Sequence, residues 1–577
     1  MKKNKTKKQP KNWRIVFLSG AVFLAFAVVV LRLFQVQVLD HHNYVALAEN
    51  QYGFYDKVVP KRGRIFFKDK YSSELYPAAV NKKMNLIYAV PREIKNPGEA
   101  TDALTKFLEI DQEKLFKILN KPDDSYEIVK HKVDDGLAEK IEKLNIEGIR
   151  TAPESWRYYP GDSLGANILG FVGYKGGDKI GQYGVEGYYQ KELAGQAGIV
   201  NPESKSILSK ITGERPNFNI SRGGDDIVLT IDHTVQFLVD KKLKETMEKF
   251  GAESGSAIVM NPQTGAILAM TQYPTYNPNQ YSEVEDLNYF INTDVRGLYE
   301  PGSVMKPITM AIAIDDNKVS PETTYLDKGV VKIGGWNIYN SDGKAHGKQT
   351  MTNVLEKSLN TGIVFVQRQI GKEKFRSGLK NFGLDTLTGI EIEEEIKGDL
   401  SNLDNLEVDV NFANAAFGQG IMVTPIEMLT AISAIANDGK MVKPRLVEKF
   451  IRFDGKEIEV SPQVVRQVVS PRAANLTAAM MVSVVENGHS RGARVKGYHF
   501  AGKTGTAQVA KKDGRGYDPG RSIHTFIGFG PMPNPCFAML IRLDNPTEVR
   551  FAADSTSRFF RETMKFLVDY YNIPPDE

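Results

Sequence analysis

Cysteine is almost absent from this 577-residue chain: Cys536 is the only one. A single thiol excludes an intramolecular disulfide and any zinc site built on paired cysteines. Beside Phe537 it reads as a small, buried, apolar residue. Histidine is scarce too, with eight residues and no H-E-x-x-H spacing, and the adjacent His41-His42 would point two ways on any regular element. Neither a catalytic metal nor a cofactor is expected. Low-complexity tracts are missing, and 41% hydrophobic against 25% charged residues describes a globular chain. It is too long for one ordinary core, so two or more domains are expected. An excess of positive charge is also lacking past residue 14. Lys2, Lys3, Lys5, Lys7, Lys8, Lys11 and Arg14 stand ahead of that point with no acid among them, and a total of +4 then leaves the remainder mildly acidic. That excludes the basic face a nucleic-acid binder would need.

What the chain does have is one long uncharged run, IVFLSGAVFLAFAVVVL, from Ile15 to Leu31. As a helix its 17 residues would span roughly 25 Å, close to the hydrocarbon thickness once Trp13 and Leu33-Phe34 are added. A cleaved signal peptide has a shorter apolar region ending at a small-x-small site. This run passes instead into RLFQVQVLDHHNY, so an uncleaved anchor is expected, from 15 to 39, behind a basic tail, 1–14. The positive flank puts the tail in the cytoplasm and everything after about residue 40 outside it.

Residues 40–222 alternate β-prone pieces (GFYDKVVPKRGRIFF, MNLIYAV) with polar helical ones (VDDGLAEKIEKLN), heavily punctuated by Gly and Pro. No cluster of chemically active groups stands out, and the segment reads as a mixed α/β, non-catalytic pedestal closed by the turn-rich FNISRGGDD. From 223 to 577 the order changes. DIVLTID reads as a strand, HTVQFLVDKKLKETMEKFG as a helix with a Gly stop, and GSAIVMNPQTGAILAMTQYP as two strands about a turn. KPITMAIAIDDN and TPIEMLTAISAIANDG read as helices, and SIHTFIGFGPM and CFAMLIRLD as late strands. Strands, a run of helices and strands again predict an α+β domain with an antiparallel sheet.

Acyl transfer through a serine needs a nucleophile, a group to take its proton, a proton shuttle and an oxyanion site. In EPGSVMKPITMAIAI, Ser303 and Lys306 stand at i and i+3, one turn apart on a helix face. Pro301-Gly302 forces a turn ahead of them, and Pro307 fits a first turn, which puts Ser303 at a helix N-terminus. Lys306 must be neutral to act as a base, which requires burial and a nearby positive group. S-x-x-K recurs at Ser341, in turn chemistry, and at Ser377, where Gly378 breaks up the helix; only Ser303 has a buried helix behind it. Ser358-Leu359-Asn360 is the only S-x-N: its hydroxyl can relay a proton and its amide can hold a peptide, although an ordinary helix C-terminus reads the same way.

Lys503-Thr504-Gly505 lies in KGYHFAGKTGTAQ, which also matches G-x-x-x-x-G-K-[ST], the phosphate-binding loop. That loop needs a flexible interior and a helix directly after Lys-Thr. Here the interior is the bulky Tyr-His-Phe-Ala, and Gly-Thr-Ala-Gln and the polar loop KKDGRGYDPG follow, so FAGKTGTAQV is predicted as a strand and the loop match as coincidence. On an edge strand Lys503 supplies charge for a substrate carboxylate and helps depress the pKa of Lys306. The Thr504 and Thr506 hydroxyls can bond that carboxylate, and Gly505 admits the substrate backbone. The N–H groups of Ser303 and Thr506 would form the oxyanion hole.

With S-x-x-K, S-x-N and K-T-G in that order, the sequence resembles the class B high-molecular-mass penicillin-binding proteins, monofunctional peptidoglycan D,D-transpeptidases, over almost its whole length. Arg62-Gly63-Arg64-Ile65, Arg157-Tyr158-Tyr159-Pro160 and Gly184-Val185-Glu186-Gly187 resemble the family's pedestal signatures, and GFGQGIMVTPIEM and TFIGFGP other transpeptidase stretches. RGRIFFKDK lacks the usual Asp-Arg-Asn-Gly turn, and Gly488-His489 replaces a common Gly-Thr; both lie outside the three motifs. The resemblance implies a single-pass protein of the bacterial cytoplasmic membrane with a serine β-lactamase-like transpeptidase domain at 223–577. It further implies D-Ala-D-Ala stem peptides as donors, a neighbouring stem's amine as acceptor, and β-lactams as covalent inhibitors. Partnership with a SEDS-family glycosyltransferase and other wall-synthesis membrane proteins is implied as well. Glu300-Pro301-Gly302-Ser303 looks more like division-type than elongation-type members. A D,D-carboxypeptidase usually lacks the pedestal; a β-lactamase would be far shorter; a β-lactam sensor would need an inward signalling domain. A catalytically dead scaffold is the rival of another class.

Overall fold

The computed structural model describes residues 60–72, 74–175, 178–196, 222–511 and 516–576, together with Phe23 and Phe26. The tail, His41-His42 and most of the expected anchor lie outside the described residues; Phe23 and Phe26 are helical and exposed. Among the described residues no helix is long and apolar enough to cross a membrane. The chain divides into two units, residues 1–60 with 196–222, and residues 61–195 with 223–577. The second unit carries the three pedestal signatures and the three serine–lysine motifs.

A seven-stranded sheet starts in the pedestal segment. Its order is Glu457–Glu459, Val447–Ile451, Asp226–Asp232, Ile65–Lys68, Tyr76–Ala89, Glu127–Val133, and Ile149–Tyr158 also pairs with Tyr76–Ala89. Ile65–Lys68 runs parallel to Asp226–Asp232 in register Ile65↔Ile227, so one sheet joins residues from both sides of position 222. A small core of Ile87, Leu104, Leu115, Leu119 and Ile141 closes the outer part. The three pedestal signatures meet at this sheet, with Arg157 on strand Ile149–Tyr158. Arg62 Nη2 and Arg157 Nε each lie 2.5 Å from the fully buried Glu186 carboxylate, one on each oxygen. Arg62 also donates to Gln190 Oε1 at 2.8 Å, and Arg157 to the Gly63 carbonyl at 2.7 Å. A buried carboxylate is tolerated only with such pairing.

The second sheet is antiparallel, ordered Ala501–Ala510, Tyr517–Gly530, Phe537–Asp544, Ser254–Met260, Ile267–Tyr273. Alternate side chains on each strand enter different cores. Ala257, Val259, Met539 and Ile541 pack with helices His233–Phe250 and Ala552–Tyr570. Ile258, Met260, Ala538 and Leu540 face the helices Lys306–Asp315, Pro425–Ala436 and Pro471–Glu486. Helix His233–Phe250 starts on the Asp232 side chain, which accepts from Val235 N–H, and stops at Gly251 with φ 61°. Thr424 and Glu427 form a capping box on Pro425–Ala436.

Two local expectations are corrected. Helix Lys372–Asn381 runs straight through Ser377-Gly378. A Cβ at Gly378 would meet the Ile312 side chain at 2.7 Å, so the glycine admits a close neighbour rather than ending the helix. The polar stretch after Ala510 is not all loop either, since the strand already starts at Tyr517. Cys536 is half-buried, and burial pushes its thiol up to about 11.

Candidate active site

Ser303 lies in the 3-10 turn Gly302–Met305, and the α-helix starts at Lys306 with Pro307 in its first turn. The expected N-terminal position is therefore met by one tight turn ahead of the α-helix. Nine of the ten helix residues are buried, which fits a helix that is apolar nearly all round. In the turn itself Gly302, Val304 and Met305 are buried and Ser303 is partly open. Two strands of chain hold the turn. Tyr299 and Val423 exchange backbone hydrogen bonds, and Gly302 N–H donates to the Gly418 carbonyl at 3.0 Å. The approach needs glycine on both sides: Gly302 has φ 60°, Gly418 has φ 83°, and a Cβ on Gly418 would fall 2.2 Å from the Gly302 carbonyl oxygen.

Lys306 is fully buried, and its Nζ donates to the Ser358 carbonyl at 2.6 Å, to Ser358 Oγ at 3.1 Å and to Asn360 Oδ1 at 2.8 Å. Ser358 and Asn360 straddle a break between helices Met351–Glu356 and Asn360–Ile370, and Ser358 has φ 55°. Both sequence readings of S-x-N therefore describe part of it: a helix does end there, and the half-buried residues just past its end face Lys306. The other end of the Asn360 amide donates to the Tyr339 carbonyl at 2.9 Å. That fixes which end points at the lysine.

Lys503 enters from the strand Ala501–Ala510, as buried as Lys306. Its Nζ donates to Ser358 Oγ at 2.9 Å and to the Thr504 carbonyl at 3.1 Å. One hydroxyl thus lies between two ammonium-bearing side chains. Every partner of the two lysines is an uncharged oxygen, so burial is not offset by a counter-ion. Desolvation first, and the Lys503 charge second, hold Lys306 well below the ordinary lysine value, and desolvation pushes Lys503 down to about 7. Gly505 packs on the Gly302–Met305 turn, where a Cβ would meet the Pro301 carbonyl oxygen and Val304 Cγ1 at 3.1 Å. Thr504 is buried; Thr506 is exposed, and its Oγ1 accepts from Ala552 N–H at 3.1 Å, leaving its single proton free to donate.

The structure therefore brings Lys306, Ser358, Asn360 and Lys503 into direct contact, with Ser303 one turn before Lys306 and Thr504–Thr506 against it. The other two S-x-x-K serines go elsewhere: Ser341 is in an exposed turn, and Ser377 Oγ donates to the Lys374 carbonyl at 3.0 Å. Among the described residues no group of three or more His, Cys, Asp or Glu side chains is arranged to hold a metal ion. His489 belongs nearer the site than its place in the sequence suggests. Partial desolvation and the charge of Lys503 lower its proton affinity, with Asp342 acting the other way. Its replacement of a common threonine was the one available signal.

The chain matches the penicillin binding protein transpeptidase domain over residues 255–565 and the penicillin-binding protein dimerisation domain over residues 57–229. It belongs to the class B penicillin-binding proteins. This class B penicillin-binding protein is 32% identical to stage V sporulation protein D of Bacillus subtilis over 538 residues, covering 92% of this chain and 82% of that protein. It is 28% identical to the peptidoglycan D,D-transpeptidase FtsI of Escherichia coli K12, covering 98% and 93%. Among solved structures, penicillin-binding protein 3 of Mycobacterium tuberculosis complexed with aztreonam aligns with a TM-score of 0.69 at 25% identity, covering 90% of this penicillin-binding protein and 98% of the other.

Proposed function

We propose that Ser303 is the nucleophile with which this chain, a peptidoglycan D,D-transpeptidase, takes up the stem peptide of a donor strand. The observation that carries this reading is the pair of buried lysines sharing Ser358 Oγ, with no carboxylate bonded to either, one turn from a partly open serine. Neutral Lys306 accepts the Ser303 proton as Oγ attacks the carbonyl of the penultimate D-alanine. The developing oxyanion is met by the N–H groups of Ser303 and Thr506. Lys503, Thr504 and Thr506 hold the terminal carboxylate, and Asn360 and Gly505 line the peptide. Ser358 passes the proton to the leaving amine, so the terminal D-alanine departs as the acyl-enzyme forms. The amine of a neighbouring stem then attacks the ester, its proton returns through Ser358 and Lys306, and Ser303 is released. A β-lactam opens its ring on the same serine and retains the leaving amine, which favours a stable adduct.

Division-type rather than elongation-type use is supported by the Glu300-Pro301-Gly302-Ser303 sequence. The basic tail 1–14 and the uncharged run after it support a single membrane anchor below the pedestal, 40–222, and the transpeptidase domain, 223–577. A SEDS-family glycosyltransferase is the partner that anchor and pedestal would serve. Full-length protein in detergent, incubated with a fluorescent penicillin, tests the reading. Covalent label on wild type and on Ser377→Ala, absent in Ser303→Ala and persisting for hours, is expected. Label retained by Ser303→Ala, or none on folded wild type, would overturn it.

A further inference from the structure

We propose that Glu300 and Tyr517 are a positioning pair for acyl transfer: they hold the strand that carries Thr506 at a fixed separation from the turn that carries Ser303. The proposal rests on the assignment of Ser303 as nucleophile. Two N–H groups on different segments make the oxyanion site, and neither segment's own hydrogen bonds set the gap between them. Where the segments touch, Gly505 packs against Pro301 and Val304 and Gly302 lies close to Ala507, contacts that limit approach; the Lys306–Ser358–Lys503 hydrogen bonds tie the segments only at Lys503, three residues before Thr506.

Glu300 stands three residues before Ser303 and is half-buried. Its Oε1 accepts from Gly420 N–H at 2.9 Å and from the Tyr517 hydroxyl at 3.3 Å, while its Oε2 is buried without a partner. All of the side chain's polar reach therefore goes into joining three segments: the nucleophile turn, the Gly418–Gly420 stretch that packs on it, and the first residue of strand Tyr517–Gly530. Burial raises the proton affinity of Glu300, and burial together with the Glu300 charge raises that of Tyr517, as expected for a carboxylate and a phenol that share a desolvated contact.

The sheet register explains how Tyr517 gets there. Pairing with the K-T-G strand is regular from Ala501↔Phe529 to Gln508↔Ser522, then jumps to Val509↔Asp518 and Ala510↔Tyr517. Residues 519–521 are extra on one strand. Such a bulge bends the ladder and sharpens its twist, a device common beside active sites. Two residues past Thr506 the ladder turns, and its last pair brings Tyr517 to Glu300. Neither side chain is bonded to Lys306, Ser358 or Lys503, so both act through the placement of others.

Stopped-flow acylation of full-length protein by a fluorescent penicillin separates the rate constant at saturation from the concentration giving half that rate. Tyr517→Phe is expected to lower the rate constant about tenfold, the scale for a slightly displaced oxyanion donor, with the half-saturating concentration changed less than twofold. Glu300→Gln keeps a carbonyl oxygen for both donors and should stay within threefold of wild type. Glu300→Ala should match Tyr517→Phe, and the double variant should be no slower than Glu300→Ala alone. A wild-type rate constant in Tyr517→Phe, or equal losses in Glu300→Gln and Glu300→Ala, would overturn the pair. So would a defect confined to the half-saturating concentration. Label on Ser303→Ala would instead sink the nucleophile assignment; a dark Ser303→Ala beside a fast Tyr517→Phe removes only the positioning pair.

Discussion

In the pedestal Arg62 and Arg157 converge on one group, the Glu186 carboxylate; in the transpeptidase region Lys306 and Lys503 converge on one group, the Ser358 hydroxyl. Both clusters bury two basic side chains, and both side chains of each pair hydrogen-bond to the same group. The difference is the counter-charge. With a carboxylate present, attraction to the arginines outweighs the burial cost and holds Glu186 below the usual carboxylate range, so the cluster stays charged and locks three segments together. With only neutral oxygens present, burial wins: Lys306 is held well below the ordinary lysine value and Lys503 falls to about 7. Guanidinium suits the first task because it cannot be deprotonated; a primary amine suits the second because it can. The same desolvation thus accompanies a fastener in one place and, in the proposed mechanism, supplies a base in the other.

Three substitutions break or sharpen that contrast. Lys306→Met should lower the acylation rate by about 10²–10⁴-fold, the usual worth of a general base, while the thermal midpoint stays level or rises, because a buried amine desolvated without a counter-ion has been replaced by an apolar side chain. Glu186→Gln should do the reverse. Stranding two arginines destabilises by about 3–5 kcal/mol, read from urea midpoints, while acylation of the protein that remains folded is unchanged. A fall in acylation as steep as that of Lys306→Met would mean the pedestal cluster serves the chemistry directly.

The smallest effect is in the pH dependence of stability. Lys503 is held to about 7 against an ordinary 10.5, so between those values the folded protein binds fewer protons than the unfolded chain, and this group's contribution to stability rises with pH. Lys503→Met should therefore be more stable than wild type near pH 7, with the gap closing toward pH 10. Glu186, held low, contributes stability that is present above the usual carboxylate range and lost as pH falls through its folded value. Glu186→Gln should accordingly flatten only the acid side. Urea midpoints measured at a series of pH values separate the two.

Much of the site is legible in the chain because the information is local. Ser303 and Lys306 are three residues apart with Pro307 behind them, and FAGKTGTAQV is β-prone through its interior, so turn, helix and strand can each be read from a short window. The S-x-N segment is harder. A helix C-terminus and a site look alike until the partner of Asn360, the Tyr339 carbonyl, is known. Gly378 misleads for the same reason, since the Ile312 side chain that needs its missing Cβ belongs to another helix. Glu300 and Tyr517, 217 residues apart, are out of reach: their contact depends on a three-residue register jump that no propensity encodes. Glu186, by contrast, is visible as a motif, but not as the carboxylate shared by Arg62 and Arg157.

The helix Ala552–Tyr570 has a consequence of another kind. At its first residue Ala552 N–H donates to Thr506 Oγ1, and at its last the Tyr570 hydroxyl donates to Asp69 Oδ2, in the turn after Ile65–Lys68. Nineteen residues make a rod roughly 28 Å long. One end gauges the K-T-G strand and the other the pedestal, so the helix works as a ruler between them. Adding or deleting a single residue within it would shift one end by about 1.5 Å and rotate it by about 100°, and both marks could no longer be read at once.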